Sequence, residues 1–266
     1  MKKRILQLII IILVVSGCSG TDDPLPEGEG KIVVLMYHRI TEGAASNLYE
    51  RSAADFESDL KYLIYNKIRI ISFDELEGIK ESGKMHEGHS AIICFDDGDQ
   101  SGYITAMPLL MKYKMKATFF LWAEMIGRNS FLTRNQIVYM SYLTFPGGMR
   151  PFTFGSHSYS HQFLLRRKET FSTTEEYHSF LDYELGVSKN LIETFIPGEV
   201  TILALPYGDG AGDPDIIAAA QRNGYSFIRT SINGTIENPY TDLFCIPSLT
   251  MLDKTDQEEI GYCLFN

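Results

Sequence analysis

The chain has 266 residues, a formal net charge of −10, and 44% hydrophobic and 22% charged residues. That is enough for one large α/β domain or two small ones, with the composition of a soluble globule rather than of a disordered or collagenous chain. So acidic a surface argues against nucleic acid and anionic bilayers as direct partners, and four cysteines are too few for a disulfide-stapled scaffold.

The first residues, MKKRILQLIIIILVVSGCSG, run from three cations through an apolar stretch to small residues before Cys18. The stretch is shorter than the about 20 residues a membrane span needs, and its layout predicts a secretory signal over residues 1–17. Val15-Ser16-Gly17-Cys18 resembles the lipobox of bacterial lipoproteins. That resemblance implies lipidation of Cys18 and a place in the cell envelope, on the outer face of the cytoplasmic membrane or on the outer membrane. The lipid anchor would then be the sole membrane contact. Residues 18–30, rich in Pro, Gly and acids, predict a flexible tether, leaving 31–266 as one catalytic domain.

Residues 32–38, IVVLMYH, are a continuous apolar, β-branched run, as expected of a strand covered on both faces in a parallel sheet. From Ala53 to Lys67, Phe56, Leu60, Leu63 and Ile64 recur at helical spacing among acids and lysines, predicting a helix. The alternation then repeats: strand IRIIS, helix FDELEGIKES, strand AIICF, helix YITAMPLLMKY, strand KATFFLW and helix TRNQIVYMSYL. Strand PFTFGS, a long helix from Thr174 to about Phe195, strand TILALP, helix PDIIAAAQRNG, strand YSFIRT and a last strand near LFCIP complete it. So many βα units predict a distorted, closed or nearly closed (β/α) barrel of about seven parallel strands, with chemistry at the strands' C-terminal ends.

IICFDDGD, residues 92–99, delivers two adjacent carboxylates, Asp96 and Asp97, to such an end. Side chains alternate across a strand, so the two acids would part if the strand continued; Gly98 lets the backbone turn and the acids converge. Asp-Asp-Gly alone is most often just a turn. GSHSYSHQFL tips the balance, because His157 and His161 lie four residues apart at another strand end. A helical turn after Ser156 would set both imidazoles on one face, the geometry of two ligands of one metal ion. His86 and His89 precede a strand at the opposite end of the barrel, and His178 falls on a charged helix; all three read as surface residues. Cys94 and Cys245 lie in apolar runs and read as small core residues.

FDDG at 95–98, HSYSH at 157–161 and LPYG at 205–208 resemble three motifs of the NodB-type polysaccharide deacetylases, carbohydrate esterases that remove acetyl groups from glycans. The likeness runs through YHRI, PLLMKYKMKATFFL and GYSFIRTSINGTIENPYTDLFCIPSL, about residues 31–250, and is closest to the branch acting on poly-β-1,6-N-acetylglucosamine. It implies a divalent metal on Asp97, His157 and His161, zinc first, with cobalt, nickel, manganese or iron as alternatives. It further implies Asp96 as general base, an oxyanion contact from the backbone N–H of Tyr207 behind Pro206, and an acetylated polysaccharide as substrate; a monomer is expected. Cysteine replaces the threonine of the first motif at Cys94. Leu205 stands before the Pro-Tyr of the third and no arginine precedes it in TILALPYG, so the arginine that braces the base is missing. The late Leu-x-Ile-His motif that supplies the general acid is absent too, and the span between the second and third motifs carries no substrate signature. The proton donor therefore falls to His38, at the end of the first strand, which barrel closure brings beside the last; an ordinary imidazole pKa of about 6.5 suits that work.

Two readings of other classes stand beside deacetylation. One is a barrel that binds glycan but has lost turnover, suggested by the missing arginine and late histidine. The other is hydrolysis of a small amide, imide or O-acetyl substrate, since a fold does not fix its substrate.

Overall fold

The computed structural model describes residues 30–266, so the signal segment, Cys18 and nearly all of the tether lie outside the described residues. β1 (Ile32–Tyr37) opens the domain, followed by β2 (Arg39–Thr41) and β3 (Glu50–Ser52), a small parallel pair of their own. Then come α1 (Ala53–Tyr65), β4 (Arg69–Ile70), α2 (Glu75–Ser82) and β5 (Ser90–Phe95). α3 (Met107–Tyr113), β6 (Ala117–Leu121), α4 (Arg134–Tyr142) and β7 (Phe152–Ser156) follow. Next are α5 (Thr174–Glu193), β8 (Ile202–Ala204), α6 (Pro214–Arg222) and β9 (Phe227–Arg229). β10 (Thr235–Ile236), β11 (Leu249–Thr250) and α7 (Gln257–Phe265) come last. Local chemistry starts the helices where the sequence predicts them: Thr133 with Gln136 and Thr173 with Glu176 form capping boxes on α4 and α5, and Asp213 caps α6 ahead of Pro214.

The main sheet runs β10-β1-β5-β6-β7-β8-β9, with β11 also on β1 and β4 also on β5. β10 lies antiparallel to β1, while the other pairings are parallel, as βα repeats require. The sheet curls into the expected single-domain barrel. Its seam is carried by residues 243–251: Ile246 N–H donates to Ile228 O at 2.9 Å on one side, and Leu35 and Met36 of β1 pair with Leu249 and Thr250 on the other.

Strand parity sorts the side chains into two layers. Val33, Leu35 and Tyr37 of β1 and Ala91, Ile93 and Phe95 of β5 pack outward under the helices. Ile32, Val34 and Met36, Ile92 and Cys94, Ile202 and Ala204, and Phe227 fill the interior. Counting on by two from these inward positions reaches His38, Asp96 and Arg229. Parity alone thus aims three polar side chains at the interior mouth.

Three elements differ from the sequence reading. IRIIS yields the two-residue β4, because β4 pairs with Ser90 and Ala91 while β6 takes the same strand at Cys94 and Phe95. YITAMPLLMKY starts as a π-helical turn over Gly102–Ala106 before α3, since Pro108 lacks the N–H a regular turn would use. The last strand falls on Leu249–Thr250 rather than LFCIP, where only Ile246 bridges to Arg229 and Pro247 cannot donate to a ladder.

Candidate active site

The β5 ladder runs one residue past the strand, Asp96 N–H donating to Tyr37 O at 2.8 Å. The chain then turns at Asp97 itself, which is left-handed at φ 67°, ahead of Gly98 at φ 74°. Aspartate tolerates that region better than most residues, and the turn swings Asp97 back toward the side Asp96 faces.

The histidine pair converges without a helix. Residues 157–161 form a loop with Ser158 at φ 60° and His161 at φ 56°, in place of the expected helical turn. Ser158 Oγ accepts from His161 N–H at 3.0 Å, and Ser156 Oγ accepts from Ser158 N–H at 3.2 Å. Serines that bond nearby backbone compete with a helix, and here they win.

His157 Nδ1 lies 2.8 Å from Ala204 O, which can only accept, so Nδ1 carries the hydrogen and Nε2 presents its lone pair. His161 Nδ1 lies 3.1 Å from the Tyr207 hydroxyl. Both Nε2 atoms aim at Asp97 Oδ1, at 3.5 and 3.4 Å, and one donor atom from each of the three residues lies within 4.8 Å of the others. Burial raises the Asp97 carboxyl, but the two imidazoles overcome it and hold it well below the usual carboxylate range. Burial lowers His157, and the Asp96 and Asp97 carboxylates reverse that, so its imidazole ends above its ordinary value. Two imidazole nitrogens and one carboxylate oxygen converging on one point, with both Nδ1 atoms engaged by the protein, fit a borderline divalent cation.

Asp96 stands behind this trio, 3% exposed, its Oδ2 3.9 Å from His157 Nε2. Both its oxygens lie 2.5 Å from Arg229 Nη2. Arg229, 1% exposed, rests over the Phe120 ring at 5.2 Å. The bracing arginine is therefore present: β9 supplies it, not the strand before LPYG, and the inference that it is missing is corrected. The signal was available, since SFIRT puts an arginine on the inward parity of Phe227.

His38 lies at the same mouth, its ring 5.0 Å from that of Tyr49. Its Nδ1 is buried without a hydrogen-bond partner among the described residues, and burial holds its imidazole below the ordinary value. Pro206 is buried; Tyr207 has φ 58° and stacks on Phe163 with centroids 4.2 Å apart. His38, Asp96, Asp97, His157, His161, Tyr207 and Arg229 line one cavity of about 530 Å³, walled by Met36, Leu48, Tyr49, Trp122, Leu205 and Leu252. His86, His89 and His178 lie outside it and are half-buried rather than surface residues. His89 Nδ1 accepts from Lys31 N–H at 3.1 Å, and His178 Nε2 meets Asp215 at 3.1 Å. Cys94 is buried as expected; Cys245 is half-buried.

A barrel with an Asp-His-His cluster and a braced second acid at its strand ends defines a class. The sequence profile of the polysaccharide deacetylases matches residues 83–228, and the chain belongs to that family. Among its relatives is the poly-β-1,6-N-acetyl-D-glucosamine N-deacetylase of Staphylococcus aureus strain MRSA252, 27% identical over 274 aligned positions that cover 92% of this chain and 90% of that protein. The Bacillus subtilis protein YxkH, named for polysaccharide deacetylase activity, is 28% identical over 199 residues; the match takes in 75% of this chain and 64% of YxkH, just under two thirds. In three dimensions the fold is shared with the Streptococcus pyogenes deacetylase PplD (TM-score 0.74, 21% identity, covering 88% of this chain and 98% of PplD). It is shared equally with IcaB from Ammonifex degensii (TM-score 0.70, 24% identity, 85% and 93% covered).

Proposed function

We propose that this deacetylase is a metal-dependent hydrolase removing N-acetyl groups from a poly-β-1,6-N-acetylglucosamine or related cell-surface glycan. The observation that carries the proposal is the convergence of Asp97, His157 and His161 beside the Arg229-braced Asp96 in one cavity. The S. aureus relative, aligned over nine-tenths of both chains, supports the choice of polymer.

Asp97, His157 and His161 would hold the cation, zinc first and cobalt, nickel, manganese or iron as alternatives. Bound there, it supplies Lewis acidity at the acetyl carbonyl and toward water. Asp96 takes the proton of the attacking water, and the Arg229 guanidinium on its two oxygens keeps it aimed. The Tyr207 N–H, fixed behind Pro206, donates to the oxyanion. His38 would protonate the departing amine as imidazolium, after taking up the proton that Asp96 removes from water; both side chains line the cavity, and the His38 ring lies 5.0 Å from that of Tyr49. Outside the barrel, the lipobox sequence supports anchoring through Cys18 at the cell envelope, with the domain acting as a monomer.

Acetate release from β-1,6-linked N-acetylglucosamine oligomers, against chitin oligomers, peptidoglycan and acetylated xylan, tests the reading. Asp97→Ala, His157→Ala and His161→Ala should each abolish tight metal binding and turnover while the fold survives. Stoichiometric metal in all three variants would remove them from the site. Absence of acetate from every substrate by metal-loaded protein that still binds glycan would replace the enzyme with a binding barrel.

A further inference from the structure

Ser158 and His161 both sit in left-handed backbone without being glycine, an arrangement that persists only where the surroundings impose it. Part of the imposition comes from the turn after β6: Ala123 N–H donates to Ser158 O at 3.2 Å and Glu124 N–H to Tyr159 O at 2.9 Å. A further part, beyond the Ser156 and Ser158 hydroxyls, comes from one residue of α5. Glu184 O accepts from Tyr159 N–H at 3.0 Å, its Oε2 accepts from Ser160 N–H at 2.8 Å, and its Oε1 accepts a short hydrogen bond from Ser160 Oγ–H.

Glu184 is 2% exposed, and among the described residues no lysine, arginine or histidine pairs with it. A carboxylate buried without a countercharge is expensive, and a leucine like its neighbours Leu181 and Leu185 would fill that face of the helix more cheaply. What a carboxylate alone offers is two acceptor oxygens for the two donors of one residue. A glutamine would turn its NH₂ on one of them.

We propose that Glu184 is a positioning residue for the metal site, clamping Ser160 so that the adjacent His161 keeps its Nε2 on Asp97. The proposal rests on the reading of Asp97, His157 and His161 as metal ligands. Glu184 touches neither the cavity nor the ligand atoms; it acts through one serine and the strained loop.

The test is metal binding by chelator-stripped protein, titrated with zinc and with cobalt, for wild type, Glu184→Gln, Glu184→Ala, Ser160→Ala and the double variant. Glu184→Ala should weaken binding about 10- to 100-fold, the range typical of partners that orient ligands. Glu184→Gln, close in shape and so least able to perturb packing, should fall between and alter the visible absorption of the cobalt form. The double variant should bind no more weakly than Glu184→Ala alone, because both changes cut the same link. Wild-type affinity and an unchanged cobalt spectrum in both Glu184 variants, or fully additive losses in the double variant, would overturn the clamp whatever happens to the melting temperature. Wild-type protein that takes up neither metal would overturn the metal reading itself, a separate result.

Discussion

Two buried aspartate–arginine pairs lie in this domain with closest contacts of 2.5 Å each and side chains no more than 4% exposed, and they are finished differently. In the first, Arg51 Nε and Nη2 take the two oxygens of Asp59 at 2.5 and 2.7 Å, and the Tyr37 hydroxyl and Gln257 Nε2 add 3.0 Å bonds. Arg51 Nη1 goes to Leu252 O at 2.8 Å. In the second, a single nitrogen of Arg229 spans both oxygens of Asp96, Arg229 Nε has no hydrogen-bond partner among the described residues, and Asp96 faces the cavity. A saturated pair has nothing left to offer a reactant and ties α1 to the C-terminal segment. The open pair leaves carboxylate lone pairs facing the cavity.

Breaking each pair should separate the two roles. The largest expected effect is on Asp96→Asn, whose amide cannot take a proton: turnover should fall about 10²- to 10⁴-fold with metal still bound, read as acetate released per folded molecule. Near-wild-type rates would remove Asp96 as the base. Asp59→Ala should leave turnover per folded molecule intact and cost about 3–5 kcal/mol of stability in urea unfolding, because it strands a buried guanidinium. A stable but inactive Asp59→Ala would erase the contrast. Arg229→Lys, which keeps the charge but loses the planar fork, should lower turnover about 10- to 100-fold with unchanged metal affinity.

The smallest expected effect sharpens the comparison at His38. Burial holds its imidazole below the ordinary 6.5, so it binds a proton more weakly folded than unfolded. Such a group contributes stability above pH 6.5 that is lost as pH falls from there through the folded-state value. His38→Asn should therefore shrink the loss of stability of metal-free protein between about pH 7 and pH 5, seen as a smaller drop in urea midpoint. An identical drop in both proteins would show that His38 is not held in that environment.

The Asp96-Asp97 and His157-His161 groups were legible because each sets a polar burst at the end of a buried strand. The parallel barrel was legible from the repeated βα pattern. The helical reading of HSYSH failed because spacing of four fits a helix and a tight loop alike, and it is the Ser156 and Ser158 hydroxyls, with distant partners such as Glu184, that select the loop. Arg229 was missed because a motif position was sought in sequence, whereas the pocket asks only for a guanidinium at the right place in space. The span matched by the family profile begins after His38 and ends one residue before Arg229, so both residues fall outside it, Arg229 by a single position. β2, β3 and β10, of two or three residues, are too short to show a period.

The seam also sets an order of assembly. Asp96 and Arg229 are 133 residues apart in sequence, and Arg51 reaches Leu252 across 201. Contacts of such separation form late, since the entropy of closing the intervening chain must be met before they stabilise anything. β1 and β5 can pair early, at which stage Asp96 would be an unbraced acid at an open sheet edge. Asp96 meets Arg229 only once β9 has joined the sheet beside β8, so the buried pair is among the late contacts of folding.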